Sequence, residues 1–135
     1  MILRIYTDGA SRGNPGRASY GFTIQDKNGK FLGKVGKFIG EATNNVAEYT
    51  AVLAALKYTK DKYGNQKPQI ELFADSKLVV QQLLGNFKIK STHLKPIIEK
   101  IKILSWELGG VIFTHISRTK NTAADTLANI ALDSL

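Results

Sequence analysis

Four of the eleven acidic residues in this 135-residue chain stand where a side chain can do chemistry: Asp8, Glu48, Asp75 and Asp125. Asp8 follows Ile2-Leu-Arg-Ile-Tyr-Thr7, and Asp75 follows Ile70-Glu-Leu-Phe-Ala74. Glu48 and Asp125 fall in the first turns of two amphipathic segments. Each has a plain structural explanation. Asp8-Gly9 can make a turn, Asp75 can cap the helix behind it, and Asp125 can answer a helix dipole. Glu48 fits a capping box in which Asn45 is the cap and the third helical residue reaches back to its N–H. At about 100° per residue, however, Glu48 lies opposite Lys57 and Lys60 and within about 60° of Ala51, Val52 and Ala55, toward the core. Four carboxylates gathered at one place repel one another unless cations neutralise them. Oxygen donors suit a hard divalent cation, and two such ions about 4 Å apart drive phosphoryl transfer.

The elements that must position these groups can be read along the chain. Residues 2–7 alternate as a strand stopped by Asp8-Gly9, and Gly13-Asn-Pro-Gly16 is a turn. Ala18–Gln25 is a second strand, closed by Asp26-Lys-Asn-Gly29 onto a third from about residue 30 to about 40. The helix carrying Glu48 runs to about residue 62, before Gly64-Asn65. Ile70–Ala74 is a short buried strand, and Asp75-Ser76 starts a helix ending at Gly85-Asn86. Ile97, Ile101, Leu104 and Leu108 mark a third helix, with Pro96 in its first turn. Val111–Ser117 is a fifth strand, and Asn121 or Thr122 caps a last helix. The order βββαβααβα predicts one α/β domain over residues 1–135, with a hairpin followed by right-handed parallel crossovers. In such sheets the working residues gather at the carboxyl ends of the parallel strands.

Nineteen Lys and Arg against eleven Asp and Glu give a net charge of +8, which fits a polyanionic partner, most plausibly nucleic acid. There is no cysteine, which excludes disulfides and thiolate metal sites. No stretch approaches the ~18 apolar residues of a membrane span, and the first residues are too short and alternating a run for a signal peptide. The expectation is a soluble, cytoplasmic protein without a membrane partner.

Tyr6-Thr-Asp-Gly-Ala-Ser-Arg-Gly-Asn-Pro-Gly16, Thr43-Asn-Asn-Val-Ala-Glu48, Ala74-Asp-Ser76 and Asn121-Thr-Ala-Ala-Asp-Thr-Leu-Ala128, in that order, resemble type 1 ribonuclease H over essentially the whole chain. The resemblance implies the ribonuclease H-like fold, a five-stranded mixed sheet flanked by helices, with its second strand antiparallel to its neighbours. It also implies an endonuclease that cuts the RNA strand of an RNA/DNA hybrid with two Mg²⁺ ions, Mn²⁺ being a substitute, and leaves 3′-hydroxyl and 5′-phosphate ends. Asp8 would bridge both metals, Glu48 and Asp75 would complete one site, and Asp125 would help form the other. Asn14, Asn44 and Asn45 match positions that contact the 2′-hydroxyl in the minor groove, and Thr43 one that holds a DNA phosphate. Lys77 stands where relatives have a groove-reading glutamine. The long basic handle of many bacterial relatives is replaced by Gly85–His93, in which Phe87, Lys88 and Lys90 are candidates to grip the DNA strand. A surface loop anchored by one Phe is the alternative. No obligate protein partner is implied, and the protein is expected to be monomeric.

An auxiliary group beside the metals has two candidates. The family's loop histidine aligns without gaps on His115, which this reading of the strand places inside it, on the side of Val111 and Phe113. Arg118 follows the strand, where active residues belong, and its fork of donors suits a phosphate. Arg118 is therefore preferred, with His115 mainly a strand residue. Two other functions compete: a binding module that has lost catalysis, and a related nuclease acting on double-stranded RNA or a DNA junction. The four carboxylates argue against the first, and the asparagines favour a reader of 2′-hydroxyls.

Overall fold

The computed structural model describes residues 1–134. Its strands are β1 (Ile2–Gly13), β2 (Gly16–Gln25), β3 (Phe31–Ala42), β4 (Gln69–Ala74) and β5 (Ile112–His115). Its helices are α1 (Asn44–Tyr63), α2 (Lys77–Leu83), α3 (Lys95–Glu107) and α4 (Thr122–Asp133). The strands form one mixed sheet in the order β3-β2-β1-β4-β5. β2 is antiparallel to β1 and β3, while β4 is parallel to β1 and β5, as the element order requires. Leu3, Ile5, Phe22, Ile24 and Leu72 of the sheet pack with Tyr49, Val52 and Leu56 of α1 and with Ile98 and Ile101 of α3.

Two boundaries differ from the sequence reading in ways that matter for the site. β1 does not stop at Asp8-Gly9. It continues to Gly13 because β2 pairs with it to the end, Gly13 opposite Gly16. Its parallel pairing with β4 does end there, at Thr7 opposite Ala74. Asp8 is thus the first β1 residue beyond its β4 partner. The fifth strand is also shorter than 111–117. It ends at His115, opposite Ala74, and a 3-10 turn at Arg118–Lys120 leads into α4.

Two glycines let helices close on this end of the sheet. A Cβ on Gly9 would lie 2.3 Å from the Ala47 carbonyl carbon and 2.4 Å from the Glu48 nitrogen, so α1 presses directly on β1 there. Gly21 lies opposite Asp8, and a Cβ on it would meet the Ala124 carbonyl oxygen of α4 at 2.3 Å. Side chains alternate across a strand, so α1 and α4 approach from opposite faces. Ser19 fastens α4 further by donating to the Ala128 carbonyl at 2.5 Å. The two close approaches bring Glu48 and Asp125 to the two sides of Asp8.

Candidate active site

Glu48 is not part of a capping box. Thr43 is the N-cap of α1, its Oγ1 accepting the Val46 N–H at 3.2 Å, so the helix begins at Asn44 and Glu48 is its fifth residue. That is two residues too late to reach back to the cap, and neither Asn45 nor Glu48 has the expected capping role. Asp75 is not a cap either. Ser76 performs that task for α2, accepting the Val79 N–H at 3.3 Å. With both capping explanations removed, what remains is proximity. Carboxylate oxygens of Asp8, Glu48 and Asp75 all lie within 4.8 Å of one another.

The electrostatics fit that crowding. Asp8 is 4% exposed. Burial, then the charges of Asp75 and Asp125, push its carboxyl from an ordinary value of 3.8 up to about 8, against a hydrogen bond from Glu48 that lowers it. Glu48 is raised well above the usual carboxylate range by burial and by Asp8 and Asp75, with a Gly9 backbone hydrogen bond opposing. Hard oxygen donors, mutual repulsion and a buried centre together fit a divalent cation. Asp125 lies outside the close triad. It sits beside Asp8 as charge and hydrogen-bond partner, while its Oδ1 accepts from Asn129 Nδ2 at 3.2 Å.

His115, the last residue of β5, places Nε2 3.3 Å from the Asp75 carbonyl oxygen. The ground for setting it aside, a strand running on to Ser117, does not hold in the structure. Arg118 is exposed in the 3-10 turn, three residues further on. Asn121 was missed except as a helix cap. It is the N-cap residue of α4 but makes no side-chain cap bond, and its amide instead turns into the site. Its position at the start of the Asn121–Asp125 motif was a signal, hidden because capping alone seemed a sufficient reason for it.

Two adjoining grooves meet at Asn45 of α1. One, of about 550 Å³, is lined by Asn14, Thr43, Asn44 and Asn45, with Asn14 Oδ1 accepting the Asn44 N–H at 3.1 Å. The other, of about 520 Å³, shares Asn45, Ser91 and Leu94 and is lined by Phe87, Lys88 and Lys90. Gln82 shapes its wall: buried, it accepts the Tyr49 hydroxyl and donates to the Lys88 carbonyl at 3.4 Å. Lys77 is exposed in the first turn of α2 and lines neither groove. Among the described residues, only Arg4, Arg12 and Lys60 of the basic side chains are paired with carboxylates, which leaves most of the positive charge free.

Residues 6–131 match the family described as "Reverse transcriptase-like". The chain is 41% identical over 131 residues to ribonuclease HI of Halobacterium salinarum, covering 97% of this chain and 64% of that protein. The chain belongs to the type 1 ribonuclease H family. The fold agrees closely with the crystal structure of RNase H1 from Halobacterium salinarum NRC-1, at a TM-score of 0.93 and 38% identity over the whole of both chains. It agrees equally with LC11-RNase H1 solved in complex with an RNA/DNA hybrid, at a TM-score of 0.94 and 40% identity over 98% of this chain and 97% of that one. The five-stranded mixed sheet expected from the motifs is thus the ribonuclease H fold. The chain spans 64% of the length of the Halobacterium relative and 36% of three mycobacterial relatives matched at 37% identity. No helix among the described residues is long and apolar enough to cross a membrane.

Proposed function

We propose that this chain is a ribonuclease H that hydrolyses the RNA strand of RNA/DNA hybrids, acting as one catalytic domain, as a monomer, in the cytoplasm. The observation that carries the reading is the triad of Asp8, Glu48 and Asp75 within 4.8 Å, on a fold that also carries grooves lined by asparagines and by free lysines. Asp8, Glu48 and Asp75 would hold one Mg²⁺ and Asp8 with Asp125 a second; when bound, the pair supplies an activated water and charge neutralisation at the departing 3′ oxygen. The products are 3′-hydroxyl and 5′-phosphate ends.

The chain's own residues do the rest. Asn14, Asn44 and Asn45 line one groove and offer amide donors and acceptors to a minor groove, where a 2′-hydroxyl marks the RNA strand. Thr43 holds its hydroxyl in the α1 cap, beside the same groove. Phe87 offers a ring face, and Lys88 and Lys90 offer charge, to the DNA strand. His115 stands next to Asp75, its Nε2 3.3 Å from the Asp75 carbonyl oxygen. That position makes it the stronger auxiliary candidate over Arg118.

The test is cleavage of end-labelled RNA/DNA hybrid, RNA duplex, DNA duplex and single strands, each with and without Mg²⁺. Cutting confined to the RNA of the hybrid, and dependent on the metal, is the expected result. Equal cutting of RNA duplex, or cutting in excess chelator, would overturn the assignment.

A further inference from the structure

We propose that Asn121 is a positioning residue of the carboxylate site, whose side-chain amide clamps Asp75 to the end of β1 and so fixes the direction of a metal ligand. The inference rests on the metal reading above and extends it to a residue that touches neither cation nor substrate.

Asn121 is 1% exposed. As the residue before α4 it should turn its oxygen back onto a helix N–H, and it makes no such bond. Its Nδ2 donates instead to the Thr7 carbonyl at 2.9 Å and to Asp75 Oδ2 at 3.1 Å. Its own carbonyl accepts the Asp125 N–H at 3.2 Å. Thr7 precedes Asp8 at the point where β1 loses β4 as a neighbour. One residue therefore ties together the backbone beside Asp8, the carboxylate of Asp75 and the helix turn that carries Asp125.

The chemistry of the contacts selects an amide. Thr7 O and Asp75 Oδ2 are both acceptors, and an NH₂ group brings two donors to them. The reverse orientation would set an oxygen against two oxygens, so the contacts settle which way the amide faces. A serine hydroxyl has one donor and a carboxylate has none. Asn121 Oδ1, meanwhile, has no hydrogen-bond partner among the described residues. A buried acceptor left bare costs stability, so packing and stability alone do not account for an asparagine here. Partners that hydrogen-bond a metal ligand from outside orient it, and their loss costs about 10–100-fold in metal affinity.

The experiment is calorimetric titration of Mg²⁺ and Mn²⁺ into the protein without nucleic acid, comparing wild type with Asn121→Ala and Asn121→Ser. Serine is a favoured N-cap residue, so that variant keeps α4 while losing the second donor. Circular dichroism and thermal unfolding in chelator check that both are folded. Metal affinity lower by about 10–100-fold in folded Asn121→Ser, with turnover partly recovered at high Mg²⁺, is the expected result. Folded variants that bind metal as the wild type does would overturn the inference and leave Asn121 a structural residue. Wild-type protein that takes up neither ion would overturn the metal reading itself, and the inference with it.

Discussion

Replacing Asp8 by Asn should stabilise the metal-free protein while abolishing its activity. The buried Asp8 carboxyl has its affinity for a proton raised from 3.8 to about 8. Between those values the folded state holds a proton that the unfolded state has released. The unfolded state then binds fewer protons than the native state, so stability falls as pH rises through this window. Each pH unit is worth 1.36 kcal/mol for one group fully in this regime, so from pH 5 to pH 8 wild type loses up to roughly 4 kcal/mol through Asp8. Against a typical total stability of roughly 5–15 kcal/mol this is a large share. The asparagine side chain of the Asp8→Asn variant has no such proton to release, so the variant should lose little of that amount. Its melting temperature in chelator should exceed that of wild type by a margin that widens by about 10 °C over the same range. Glu48 shifts in the same direction, so some fall with pH remains in the variant. Saturating Mg²⁺ should restore wild type at pH 8 by mass action and do little for the variant. Turnover should fall at least ~10³-fold while hybrid binding survives, since the phosphate contacts are untouched. Scanning calorimetry at pH 5, 6, 7 and 8, with and without Mg²⁺, reads all but the last two effects. Parallel decline of both proteins with pH, or near-normal cleavage by the variant at saturating Mg²⁺, would refute the reasoning.

Other substitutions separate recognition, proton transfer and grip. Asn44→Ala with Asn45→Ala should erode the preference for RNA over DNA with little change in melting, whereas Thr43→Ala should cost about 1 kcal/mol through the lost cap; thermal unfolding beside kinetics on the hybrid distinguishes them. His115→Ala should reduce turnover more than Arg118→Ala across pH 6 to 9, and the opposite order, with both folds intact, would return the auxiliary role to Arg118. Lys88→Ala with Lys90→Ala should weaken hybrid binding and flatten the slope of log affinity against log salt by roughly 2. An unchanged slope, measured by fluorescence anisotropy, would mean the loop does not reach a phosphate.

Much of this protein was legible without coordinates. The alternation of strands, the 3.6-residue helices and the order of elements are local properties, and they force a mixed sheet with its active edge at the ends of β1 and β4. The four carboxylates could be picked out because each falls at a boundary between such elements. The boundaries themselves were less certain. Thr43, Asn44 and Asn45 are three successive residues able to cap, and only the backbone of the folded chain selects Thr43, which moves Glu48 out of any capping box. β1 runs past Asp8-Gly9 because β2 continues to pair with it, and β5 stops at His115 opposite Ala74. Those lengths are set by partners, not by the strand's own residues.

Tertiary structure alone decided how the side chains converge. Asp125 stands beside Asp8 yet outside the close triad, a distinction set by how α4 packs over Gly21. The clearest case is Asn121, which its neighbours in sequence mark as a cap. Its actual partners are Thr7, 114 positions away, and Asp75, 46 away. Helical and strand periodicity reach a handful of residues along the chain, because they arise from backbone geometry repeated locally. A hydrogen bond across such separations exists only once the sheet has closed, so no helical or strand period in the sequence reports it.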